Sequence, residues 1–140
     1  MKIYDKLISK DEKLAVVGLG YVGLPIALEF AKKLDVIGFD INVERVNLMK
    51  QNIDPSNELL ASDFENCSIT FTSNLKDLQE VKFFIIAVPT PIDKNKKPDI
   101  NPLLSASKTV GKVLKNGDYV VYESTVYPGC TEEDCIPVLE

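Results

Sequence analysis

The stretch Leu14-Ala-Val-Val-Gly18-Leu-Gly20-Tyr-Val-Gly23-Leu-Pro25-Ile-Ala-Leu-Glu-Phe30 constrains this chain more than any other. It predicts a buried strand, a Gly-x-Gly-x-x-Gly turn and a helix, in that order. Each glycine has a physical task if a dinucleotide sits on the turn. Gly18 lets the strand turn sharply, Gly20 has no Cβ to keep the backbone from a pyrophosphate, and Gly23 lets the helix lie close to the sheet. The free N–H groups and dipole at the start of that helix favour an anion. Pro25 stands near the first turn, where its missing N–H costs least. Taken alone, the same pattern also describes a glycine-rich turn with no ligand.

Context separates the two readings. Val22, Ile26, Phe30 and Leu34 recur every fourth residue and predict one apolar helix face. A second apolar run, Val36-Ile-Gly-Phe39, ends on Asp40, 22 positions after Gly18. An acid about 20 residues past the first glycine is the spacing of a group that accepts hydrogen bonds from the adenosine ribose hydroxyls. Its charge would repel a 2′-phosphate, which favours NAD over NADP. The competing role for Asp40 is a solvated turn residue or the cap of the next helix.

The 140-residue chain is long enough for one domain with a real core. A net charge of −5 and no basic cluster argue against a nucleic-acid surface. No apolar run approaches the ~20 residues of a membrane span, and the charged residues 1–12 do not read as a signal peptide, so we expect a cytoplasmic protein. The chain has no histidine, which removes Ser-His-Asp and Cys-His catalysis from it. Its three cysteines, Cys67, Cys130 and Cys135, lack the second Cys/His pair of a zinc site and read as reduced thiols. Cys130, with no histidine or nearby lysine to lower its pKa, reads as a packed thiol rather than a nucleophile.

Residues 1–12 predict a lead-in helix with Ile3, Leu7 and Ile8 on one side, and 13–140 predict one α/β domain. Strands are expected at about 13–18, 35–40, 69–72, 83–88 and 119–122. Helices are expected at 21–33, at 42–51 behind an Asn42 cap with Val43, Val46 and Met49 inward, and from Asn101 to Lys115 with Pro102 in its first turn. A short helical piece is expected near 58–63, and another at 75–79 behind Asn74. Alternating strands and helices imply a Rossmann-type doubly wound parallel sheet in three αβα layers. The chain closes on the apolar stretch Cys135-Ile-Pro-Val-Leu-Glu140, which reads as part of a longer protein.

Ligands of such a sheet bind at the carboxyl ends of its strands. Four loops qualify: 18–23, 40–45, 88–91 and 123–129. Arg45 lies one helical turn past Asp40 and either covers the adenine, reaches a phosphate, or is a solvated helix arginine. Pro89-Thr90-Pro91 fixes the backbone beside the nicotinamide-side ribose and offers one hydroxyl, or is a rigid turn. Ser124 and Thr125 follow the fifth strand near the nicotinamide, or Thr125 bonds its own loop.

Val17-Gly-Leu-Gly-Tyr-Val-Gly-Leu-Pro25, Gly38-Phe-Asp-Ile-Asn42, Ala87-Val-Pro-Thr-Pro91 and Glu123-Ser-Thr-Val-Tyr-Pro-Gly129 together resemble the N-terminal domain of the UDP-glucose/GDP-mannose dehydrogenase family. The last loop is most similar to the branch acting on UDP-N-acetylhexosamines. The resemblance implies oxidation of the C6 alcohol of a UDP-sugar to the carboxylate with two NAD in succession, through a thiohemiacetal and a thioester on a cysteine. It implies NAD binding by Gly18, Gly20, Tyr21, Val22, Gly23, Asp40, Arg45, Pro89, Thr90, Ser124 and Thr125, with Thr125 also ordering the catalytic water. It implies no metal, and a homo-oligomer when full length. The cysteine, lysine and asparagine of the family's chemistry belong to segments past residue 140, so this chain is expected to bind NAD and to be inactive alone.

Overall fold

Five strands of four residues each carry the described fold: β1 Leu14–Val17, β2 Val36–Phe39, β3 Ile69–Thr72, β4 Phe83–Ile86 and β5 Tyr119–Tyr122. The computed structural model describes residues 3–9, 12–20, 23–55, 57, 59–87, 101–115 and 117–122. All strand pairings are parallel, in the order β3-β2-β1-β4-β5. This is the order of a doubly wound sheet, with its switch point between β1 and β4. Val17 lies opposite Phe39 on one side and Ile86 on the other, Phe39 opposite Thr72, and Ile86 opposite Tyr122. The carboxyl ends of all five strands are therefore level, along one edge of the sheet.

Helices α1 Ile3–Ile8, α2 Gly23–Ala31, α3 Val43–Lys50 and α4 Asn101–Gly111 complete the described regular structure, with 3-10 turns at Ala61–Phe64 and Leu75–Leu78. Side chains alternate across the sheet and make two cores. On one face Leu14, Val16, Val36, Phe71 and Ile85 pack with Leu24 and Leu28 of α2, Val46 and Met49 of α3, and Leu7 of α1. On the other Ala15, Val17, Ile37, Phe39, Phe84 and Ile86 pack with Ala106 and Val110 of α4 and with Leu78 and Val81. With both faces covered, β1 and β2 are buried at every position, which is why they read as continuous apolar runs. Helices of six to eleven residues are too short to stand alone. Burial, at about 1.5–3 kcal/mol for each large apolar side chain, holds them.

Several expectations are corrected. The buried face of α2 is Gly23, Leu24, Ala27, Leu28 and Ala31, while Phe30 is 40% exposed and Ile26 only partly buried. The small residues at 23, 27 and 31 let the helix axis approach the sheet, and a face led by Ile26 and Phe30 would hold it away. Val43 of α3 is exposed, leaving Val46 and Met49 as its inward residues. Ile8 is exposed, so α1 is anchored by Leu7. α4 ends at Gly111 rather than Lys115, and its last turn tightens through N–H bonds from Lys112 to Thr109 and from Val113 to Val110. The short helical piece falls on Ala61–Phe64, slightly later than expected. Asn42 and Asn74 cap their helices as expected, accepting from the N–H groups of Arg45 and Lys76.

Candidate functional site

β1 runs into the glycine turn at the centre of the level edge. The Gly18 N–H donates to the Phe39 carbonyl (2.8 Å), and the Ala87 N–H to the Val17 carbonyl (2.9 Å), so the turn starts between the ends of β2 and β4. The chain then turns at Gly18 with φ of 97°, a left-handed conformation that favours glycine. The glycines differ in what excludes a side chain. A Cβ at Gly23 would lie 1.7 Å from the Gly18 carbonyl oxygen and 3.3 Å from the Ala87 Cβ, so packing of α2 on the turn demands glycine. A Cβ at Gly20 would meet nothing within 4 Å among the described atoms. Among the described residues the outer side of Gly20 is therefore open, which leaves room for a bulky anion to approach the backbone.

Asp40 follows β2 directly and turns its carboxylate onto the same turn. Oδ2 accepts the Leu19 N–H (3.0 Å) and Oδ1 the Asn42 N–H (2.9 Å). A carboxylate has about four acceptor sites, so each oxygen keeps capacity for another donor. Arg45, on the first turn of α3, donates from Nη2 to the Leu19 carbonyl (3.3 Å). The Leu19 side chain is fully buried. It packs where a Cβ at Gly38 of β2 would come within 3.2 Å of its Cδ1.

Gly18, Gly20, Gly23, Asp40 and Arg45 thus converge on one end of the sheet. Tyr21, Val22, Pro89, Thr90, Ser124 and Thr125 lie outside the described residues, as do Glu123, Cys130 and Cys135. The strands that lead to 88–91 and 123–129 end on the same edge, at Ile86 and Tyr122. Leu19, Gly38 and Asn42 hold the turn and escaped the sequence reading as a set. A glycine inside a β-branched strand was the available signal, since it marks close approach of another group.

This geometry suits a nucleotide: an open glycine backbone for a pyrophosphate, beside a carboxylate with spare acceptor capacity for hydroxyls. The sequence profile of the UDP-glucose/GDP-mannose dehydrogenase family, NAD binding domain, matches residues 12–140. The chain belongs to this family. It is similar to the UDP-N-acetyl-D-glucosamine 6-dehydrogenases of Pseudomonas aeruginosa (60% identical over 132 residues) and Salmonella typhi (52% over 130). Those alignments cover 94% and 92% of this chain and 31% of each relative, so the chain spans about a third of their length. Among solved structures, the NDP-N-acetyl-D-galactosaminuronic acid dehydrogenase of Methanosarcina mazei Go1 superposes with a TM-score of 0.84 at 29% identity. That match covers 100% of this chain and 34% of the other. Fold and cofactor class follow: this is a Rossmann-type NAD-binding domain of a nucleotide-sugar dehydrogenase family.

Elsewhere the described surface offers less. No helix among the described residues is long and apolar enough to cross a membrane, and no group of three potential metal ligands is found there. Cys67 borders an open groove of about 310 Å³ shared with Met49, Phe64 and Phe71. Its Sγ lies 3.4 Å from the carbonyls of both Leu28 and Glu65, which share or alternate in accepting its single proton. Burial raises the thiol pKa, with Glu29 adding to the rise and Lys32 opposing it. A thiol held protonated in this way is a poor nucleophile.

Proposed function

We propose that this chain is the cofactor-binding part of a nucleotide-sugar 6-dehydrogenase, and that the parent protein oxidises the C6 alcohol of a UDP-N-acetylhexosamine to the uronic acid. The observation that carries the reading is the Asp40 carboxylate set against an open Gly20 in a chain of this family. When bound, NAD accepts hydride from the substrate. Gly20 admits the pyrophosphate, Gly18 and Gly23 shape the turn beneath it, and Asp40 receives the adenosine ribose. Arg45, held on the Leu19 carbonyl, stands within the same site, to cover the adenine or reach a phosphate. In the same reading Tyr21, Val22, Pro89, Thr90, Ser124 and Thr125 complete the contacts, and Thr125 supports the catalytic water. The substrate preference rests on likeness to relatives named as UDP-N-acetyl-D-glucosamine 6-dehydrogenases. Residues 1–12 are a lead-in and 13–140 the cofactor domain, the remaining domains of the parent lying past residue 140. The parent is a cytoplasmic homo-oligomer that supplies uronic acids for polysaccharide synthesis.

Calorimetric titration of the 140-residue chain with NAD, and with NADP as control, tests this. Saturable NAD binding with NADP much weaker is expected. Asp40→Asn removes a charged acceptor worth about 1.5–3 kcal/mol, so it should weaken NAD tenfold or more and narrow the gap to NADP. Equal binding of the two cofactors by the unsubstituted chain would refute the ribose role of Asp40.

A further inference from the structure

Four hydrogen bonds around the glycine turn close into a ring. The Leu19 N–H donates to Asp40 Oδ2 (3.0 Å), and Asp40 Oδ1 accepts the Asn42 N–H (2.9 Å). Asn42 Oδ1 accepts the Arg45 N–H (3.1 Å), and Arg45 Nη2 returns to the Leu19 carbonyl (3.3 Å). The circuit thus begins and ends on one residue. Both polar groups of Leu19 are held by charged side chains that follow β2, and its side chain is fully buried against the space left by Gly38.

We infer that Arg45 is a positioning residue: it fixes the glycine turn, and with it the Asp40 carboxylate. Three observations support this. The guanidinium bond goes to a backbone carbonyl of the turn itself, the residue directly before Gly20. The Asn42 cap sets the first turn of α3, so the direction of Arg45 is fixed by the same residue whose N–H orients Asp40. The Leu19 side chain is closely packed, since a Cβ at Gly38 would lie 3.2 and 3.3 Å from its Cδ atoms and 3.1 Å from the Phe71 ring. A carboxylate tied through both oxygens does not have to be ordered when a ribose reaches it, and a site ordered in advance binds more tightly. The inference rests on the cofactor reading only for its consequence; the clamp itself is built from this chain's own groups.

The test separates the two. Amide hydrogen exchange, read by NMR on the cofactor-free 140-residue chain, is compared for the unsubstituted protein, Arg45→Met and Arg45→Lys. In Arg45→Met the Leu19 amide should exchange about tenfold faster, the scale of losing one charged hydrogen bond, while Val16 and Ile85 in the strands keep their protection. NAD affinity should fall by a comparable factor, and Arg45→Lys should recover part of both effects. Gly38→Ala, which crowds the Leu19 and Phe71 side chains and leaves Asp40 and Arg45 intact, should also speed Leu19 exchange. Unchanged Leu19 exchange in Arg45→Met would overturn the clamp, whether or not NAD affinity falls. Faster exchange with no NAD binding even by the unsubstituted chain would uphold the clamp and sink the cofactor reading instead.

Discussion

At the scale of the residue, the three glycines of one motif answer to different forces. Gly23 is required by the protein's own packing, since a Cβ there would collide with the Gly18 carbonyl at 1.7 Å. Gly20 meets no described atom within 4 Å and is required only if something else approaches. Gly23→Ala should therefore destabilise the fold by about 3 kcal/mol or more, as overpacking against backbone does. Gly20→Val should leave the urea midpoint nearly unchanged while abolishing NAD binding. A Gly20→Val protein that folds and binds NAD normally would show the turn to be misassigned. Cys67 makes a pH prediction. Its folded pKa lies above the ordinary 9.0 because burial disfavours the thiolate. The unfolded chain then loses this proton first as pH rises, so the contribution is full below pH 9 and declines above it. Urea midpoints of the parent chain and Cys67→Ala, compared at pH 7 and pH 10, should converge at the higher pH.

At the scale of the element, α2 shows how a close contact sets the rotation of a helix. Apolar residues occupy nearly every position from Gly23 to Ala31, so hydrophobic periodicity barely distinguishes one face from another. The deciding contact is Gly23 on Gly18, which turns Ala27 and Ala31, one and two turns further on, to the sheet. Phe30 is left at the rim. Thermal denaturation should show Phe30→Gln within about 0.5 kcal/mol of the parent. Ala27→Leu, at a position with no exposed surface, should lose about 1–3 kcal/mol by forcing the helix outward. The reverse ranking would mean that the face led by Ile26 and Phe30 is the packed one.

At the scale of the whole molecule, the level carboxyl edge of a β3-β2-β1-β4-β5 sheet brings the turn after β1 beside the acid after β2, although Leu19 and Asp40 are 21 residues apart. The chain spans about a third of its curated relatives, and the thiol described in it is partly buried with its pKa raised, the reverse of a thiol poised for attack. The 140-residue chain with NAD and UDP-N-acetylglucosamine is accordingly expected to form no NADH at 340 nm, and the longer parent to form two per sugar. Turnover by this chain alone would place the whole catalytic set within residues 1–140.

Much of this was legible in the residues themselves. Strand positions, the caps at Asn42 and Asn74, the glycine turn and the acid after β2 all follow from local rules: buried strands are apolar throughout, capping needs a short polar side chain, and a tight turn needs glycine. Short-range signals of this kind are carried by neighbours in the chain, so the sequence alone determined the α/β class and the positions of the glycine turn and of the acid after β2. Which face of α2 is buried, where α4 stops, and how Leu19, Asp40, Asn42 and Arg45 join into one ring were decided only by tertiary structure. Each depends on groups from different elements meeting within a few ångströms, and no spacing along the chain encodes the direction in which a carboxylate or guanidinium finally points.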